Sequence, residues 1–159
     1  MSPQAPRDVR VWLSAGAGPS TFRHSEGGSL RASATVSVGR AALLGRQSLN
    51  FEGIDGHVSI DESAVLAGWR FGGKHLFVIP AVGVANAHWL DDLCTAHITC
   101  TPEATAELES KGPGVAFDLG FHASKLIAGL ALNISGIAAP EKRRYLATVI
   151  SIELGFFGR

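Results

Sequence analysis

His88, Asp91, Cys94, His97 and Cys100 recur at spacings of three within one stretch of the chain. On a helix, that spacing would stack imidazole, carboxylate and thiolate groups on successive turns, a donor set able to hold a metal ion. Helix signals are otherwise scarce there. In an oxidising compartment the same two cysteines would close a small ring as a disulfide. His122-Ala-Ser124 sets a base beside a hydroxyl nucleophile, and His24-Ser25-Glu26 repeats those types. A base-activated serine also needs a third group to orient the base. Glu141 would have to serve, but it falls in a link at the opposite end from residues 122–124. No catalytic residue is assigned. Ala15-Gly16-Ala17-Gly18 and Gly112-Pro113-Gly114 lack the following Lys-Ser/Thr and helix start of a phosphate loop. No cofactor is expected.

The elements that would position these residues are strands. Period-two alternation marks eight stretches, at 8–18, 29–39, 42–51, 58–71, 75–88, 113–121, 125–135 and 144–157. Their links alternate between long (19–28, 52–57, 89–112 and 136–143) and short (Gly39-Arg40-Ala41, Gly72-Gly73-Lys74 and Phe121-His122-Ala123-Ser124). An even strand count with tight turns on one side and longer loops on the other is the layout of a transmembrane β-barrel.

Composition agrees with this layout. The 159 residues suit one domain. Fourteen basic and fourteen acidic side chains leave no global field to attract nucleic acid. Apolar residues make up 46% of the chain and mean hydropathy is +0.20, yet no apolar run is long enough for a membrane-spanning helix.

The faces of the strands separate by size and polarity. In the last strand Leu146, Thr148, Ile150, Ile152 and Leu154 oppose Ala147, Val149, Ser151, Glu153 and Gly155. Leu130 and Leu132 oppose Ala131 and Asn133 in the same way. In a soluble barrel that binds an apolar ligand, the aliphatic set would turn inward and the other set would be rich in Lys, Glu and Gln. Here the second set is Gly, Ala, Ser and Thr with isolated charges, which fits the crowded inside of a narrow barrel. Leu130, Leu132, Ile150 and Ile152 are therefore expected to meet lipid. Arg10, Arg31, Arg46, Glu62, Asp118 and Glu153 are expected to form an interior polar network, because a buried charge needs a partner. Closure would bring the first and last strands together and pair Arg10 with Glu153. Trp69, Phe71, Phe77, Phe121, Phe156 and Phe157 would form one aromatic girdle, and Phe22, Phe51, Trp89 and Tyr145 the other. A two-residue turn at Gly72-Gly73 would pair Trp69 with Leu76 and set Leu66, Phe77 and Ile79 inside. Pro80 cannot donate to the ladder, so a bulge is expected there.

With eight strands, those short turns and the closing segment Ile150-Ser-Ile-Glu-Leu-Gly-Phe-Phe157, the chain resembles the small outer-membrane β-barrel proteins, the OmpA transmembrane domain and the OmpX/Ail-like group. The likeness is architectural and covers residues 8–157. The closing segment is similar to the aromatic final strand that the barrel-assembly machinery recognises, though Gly158-Arg159 follow it. The resemblance implies an all-β, eight-stranded, antiparallel up-and-down barrel in the outer membrane of a Gram-negative bacterium. Residues 1–7 would be a periplasmic lead-in, with a signal peptide already removed, and the long links would face outward. It implies a structural or surface-interaction role, as an anchor or adhesin, with outer-membrane lipid and lipopolysaccharide as neighbours and a surface or periplasmic protein as partner. The His-x-Ser pair is also similar to that of outer-membrane lipid-A deacylases, which keeps a lipid-modifying enzyme as an alternative beside the soluble ligand-binding barrel. The filled interior argues against a porin. Lys142, Arg143 and Arg144 would contact lipopolysaccharide phosphates. In an exported loop, Cys94 and Cys100 are expected to form a disulfide rather than a metal site.

Overall fold

A computed structural model describes residues 8–21, 26–52, 57–89, 109–122, 128–137 and 145–156. The strands are β1 (Val9–Thr21), β2 (Glu26–Val38), β3 (Ala41–Glu52), β4 (His57–Trp69), β5 (Phe71–Gly72), β6 (Leu76–Trp89), β7 (Glu109–His122), β8 (Gly129–Ile137) and β9 (Tyr145–Phe156). Every neighbouring pair is antiparallel. The order β4-β3-β2-β1-β9-β8-β7-β6-β5 closes on itself through pairing of β4 with β6. β4 and β5 are two pieces of one barrel strand broken at Arg70, so the wall has eight strands in up-and-down order.

The closure is staggered. From Val11, successive ladder partners run through Val36, Leu43, Ala67, Val82, Val115, Gly136 and Leu146, then return to β1 at Thr21. A stagger from position 11 to position 21 over eight strands tilts the strands by roughly 40° to the barrel axis, within the range of membrane barrels. It also makes each ladder row climb toward the long-link end in the direction β1 to β9.

Period two fixes which side chains point in. Leu13, Leu43, Val65, Val82, Val84, Leu130, Ile150, Ile152 and Leu154 stand exposed on the outside. Trp12, Leu44, Leu66, Phe77, Ile79, Ala131 and Val149 are buried inside among polar groups. The aliphatic set thus faces outward, which removes the soluble ligand barrel with an inward-facing apolar lining.

Three local expectations change. Gly73 N–H bonds the Leu76 carbonyl at 2.8 Å, and Gly68 pairs with Ala81. The turn is therefore centred on Lys74-His75, four positions off the Trp69–Leu76 register, although Leu66, Phe77 and Ile79 still face inward. Pro80 sits in an uninterrupted ladder opposite Phe117. Its missing N–H is accommodated by the break at Arg70 in the adjoining strand, rather than by a bulge in its own strand. The first connection is shorter than 19–28, because β1 and β2 pair out to Thr21 and Glu26.

Candidate functional site

Inside the barrel, at the short-turn end, large side chains form a floor. Trp12 of β1 meets Phe77 of β6 and His122 of β7 edge to face, and Phe77 and His122 pack tilted against each other, with ring centroids 4.7–5.7 Å apart. Gly120 makes room for this cluster, since a Cβ there would lie 2.1 Å from Phe77 Cζ. His122 Nε2 donates to Glu153 Oε2 at 2.8 Å, and the His122 carbonyl accepts from His75 Nδ1 at 2.8 Å. Arg10 donates twice to Asp8, at 2.8 and 2.9 Å, and once to the Lys74 carbonyl at 3.2 Å. Arg70 approaches the same Asp8 carboxylate at 3.6 Å and donates to the Gly73 carbonyl at 3.0 Å.

Further in, Arg46 forms an ion pair with Glu62, and Arg31 Nε donates to Ser48 at 3.2 Å. Ser151 donates to Asn133 Oδ1 at 2.5 Å, and Asn133 stands opposite Asp118 across the β7–β8 ladder. Toward the long-link end the buried groups are mixed: Ser20, Ser29, Ser48 and Asn50 beside Ile60 and Ile137. Ser29 Oγ, Asn50 Oδ1, Ser135 Oγ, Arg31 Nη2 and Glu62 Oε2 have no hydrogen-bond partner among the described residues.

The six charged residues named from the sequence lie on the inner parity, but they do not form one network. Arg31, Arg46, Glu62 and Asp118 gather at mid-height, whereas Arg10 and Glu153 belong to the floor. Arg10 and Glu153 are not partners. Glu153 faces Ser14 across the β1–β9 ladder, four positions deeper than Arg10. Arg10 takes Asp8, and Glu153 takes His122. Sequence reasoning missed Asp8, Arg70 and His122. Arg70 was findable, because the inward run Glu62, Ala64, Leu66, Gly68 continues to it; His122 was hidden by its placement in a turn.

His122 is 1% exposed and points into the barrel, so the pattern of a lipid-facing His-x-Ser pair does not extend to it. Ser124, Glu141, the cysteine-bearing segment with Cys94 and Cys100, and Lys142, Arg143 and Arg144 lie outside the described residues. Of the short-turn aromatic girdle, Trp69, Phe71 and Phe121 stand about half exposed on the outside, and Phe77 is instead a floor residue.

On the outside the wall is not uniform. From β9 through β1 to β2 it is aliphatic or small over most of its height. Across β3, β4, β6 and β7, near the long-link end, the ladder row Gln47–Ser63–Asn86–Lys111 faces outward, with Asp61 beside it. Gln47 donates to Asp61 and accepts from Ser63 at 2.7 Å.

A closed eight-stranded wall, aliphatic outside and plugged inside, defines the fold of small outer-membrane barrels. Solved structures agree. The outer-membrane protein Ail of Yersinia pestis in a phospholipid bilayer nanodisc is similar over 94% of this chain and all of its own, with a TM-score of 0.58 at 10% identity. Neisserial surface protein A is similar over 93% and 97%, with a TM-score of 0.53 at 12% identity. The crystal structure of Ail, the attachment invasion locus protein, covers 96% and 99%, with a TM-score of 0.51 at 9% identity. No protein-family model matches the chain, and no curated protein matches it in sequence.

Proposed function

We propose that this chain is an integral outer-membrane barrel of a Gram-negative bacterium that serves as a rigid anchor for surface-exposed connections, with a structural or adhesin-like role. The observation that carries the reading is the outward aliphatic parity on a closed, filled barrel. Exposed aliphatics all around a soluble protein would be an aggregation hazard, whereas in a bilayer they are the required surface. A floor of Trp12, Phe77 and His122 supports a scaffold over a channel. The names of the similar structures, an attachment invasion locus protein and a surface protein, point toward surface interaction. On this reading Lys142, Arg143 and Arg144 contact lipopolysaccharide phosphates, Cys94 and Cys100 form a disulfide in the longest connection, and the assembly machinery inserts the chain.

Refolding into lipid vesicles tests the membrane placement. The folded chain should float with the vesicles and migrate differently on gels before and after boiling. Ile150→Arg, near mid-height on the outer wall, should cost about 2–4 kcal/mol of unfolding free energy in the bilayer. Spin labels at Leu130 and Ile152 that report water would overturn the placement.

A further inference from the structure

The polar stretch of the outer wall has a feature beyond its polarity: it is its own complement. Asp61 on β4 and Lys111 on β7 flank β6, which carries Asn86 between them. From Ser63, Asp61 lies two positions up its own strand, while Lys111 lies two strands along the climbing row. With ~3.3 Å per residue, ~4.8 Å between strands and the tilt given by the stagger, both moves gain roughly 5–6 Å of height. Asp61 and Lys111 therefore sit level, about 11 Å apart around the wall. Val65 and Val84 border Ser63, Asn86 and Lys111 along a shallow groove of about 720 Å³.

We propose that this β4–β6–β7 wall is the contact surface of a homodimer. Two copies would stand side by side in the membrane about a twofold axis along the membrane normal, with Asp61 of each facing Lys111 of the other. Two copies inserted the same way up can form a closed pair only about such an axis. It exchanges left and right at constant depth, so one acid and one base, level and on opposite sides of β6, meet their opposites twice. Asn86, near the axis, meets Asn86 of the second copy, and an amide can both donate to and accept from its twin. The level pair is balanced, with Asp61 and Lys111 one of each sign, and Glu109 stands two positions further up β7. A lipopolysaccharide phosphate would instead call for clustered cations, and acyl chains would call for the aliphatics found on the β9–β1–β2 wall. Near the edge of the apolar layer, charge pairing sets partner and register more than raw affinity.

The dimer rests on the membrane reading for the direction of its axis, and the test separates the two. The full chain, with Cys94 and Cys100 replaced by serine, is refolded into phosphatidylcholine vesicles with Asn86→Cys or, on the far wall, Ile152→Cys. Oxidation should cross-link the first into dimers and leave the second monomeric. In detergent micelles, Asp61→Lys and Lys111→Glu should each weaken self-association by ~10-fold or more, since each puts like charges face to face. The two variants mixed should recover wild-type association, because the two basic groups of one level pair then meet the two acidic groups of the other. Both substitutions are on the exposed face, and an unchanged heat-dependent gel shift shows that the barrel still folds. An inserted chain that stays monomeric, that dimerises equally well with either charge reversed, or that associates only when lipopolysaccharide is added overturns the dimer alone. A chain that never enters the vesicles overturns the membrane reading and the dimer with it.

Discussion

The two ends of the barrel interior are built from different materials. At the short-turn end, three rings pack in edge-to-face and tilted contacts, and Arg10, His122 and Glu153 are held at ordinary hydrogen-bond distances. Toward the long links, serines and an asparagine line the wall, where the hydroxyls of Ser29 and Ser135 find no partner among the described residues; at the short-turn end Ser37 Oγ and Arg70 Nε are likewise unpartnered there. The same period-two rule places both sets inside, so the alternation does not account for the difference. Volume does. Phe77, Trp12 and Arg10 fill the cross-section of an eight-stranded barrel, and Gly120 is reduced to a hydrogen to admit one of them. One end is thus a stopper of large rings, and the other a chamber of mixed lining in which short polar side chains stand beside Ile60 and Ile137.

The strongest way to break this contrast is at the stopper. Phe77→Ala should cost about 3–5 kcal/mol, because deleting a fully buried ring removes its contacts and leaves a cavity that a closed wall cannot collapse to fill. Urea titration in vesicles or detergent measures the loss. Planar-bilayer recording should show conductance rising from a closed baseline. A loss below about 1 kcal/mol with no current would mean that the floor is not a stopper.

How much of this was legible in the sequence follows from the range of the forces involved. Parity is local, so the outward Leu130, Leu132, Ile150 and Ile152 and the inward Arg31, Arg46 and Glu62 could be read directly from the alternation. Register between distant strands is not local. Pairing Arg10 with Glu153 requires the closure of β1 on β9, whose offset is set by the stagger accumulated around the whole wall. Reading the two strand ends as flush placed Glu153 four positions too shallow. The β4–β6 turn failed for a related reason. Gly72-Gly73 resembles a tight turn, but Gly72, at φ 104, pairs with Phe77 on the way into it, and the ladder extends to Gly73 and Leu76. The floor was hidden because His122 reads as a turn residue until β7 is known to reach it.

A smaller effect sharpens the contrast by separating charge from shape. Glu153→Gln keeps an oxygen that accepts from His122 Nε2 but removes the ionised acceptor. A hydrogen bond to a charged group contributes roughly 1 kcal/mol more than a neutral one, so the stability of the barrel should fall by about that amount. Glu153→Ala should fall further, because it also deletes the oxygen that accepts from His122 Nε2. Equal losses from the two variants would mean that the bond adds nothing and that only the carboxylate's charge matters.

The smallest effect is expected in the chamber. Ser29 is 2% exposed and its hydroxyl makes no hydrogen bond among the described residues. A buried hydroxyl without a protein partner gives up its bonds to bulk water on folding and recovers them only through water held inside. Removing it should therefore be close to neutral. Ser29→Ala is expected within ~0.5 kcal/mol of the parent in the same urea titration, on the stabilising side if the site is dry. The matched control is Ser14→Ala nearer the floor, where the hydroxyl shares a 2.5 Å bond with Ser33. That variant strands the Ser33 hydroxyl and should lose about 1 kcal/mol. If Ser29→Ala proves as costly as Ser14→Ala, the chamber holds an ordered set of bonds of its own that includes the Ser29 hydroxyl.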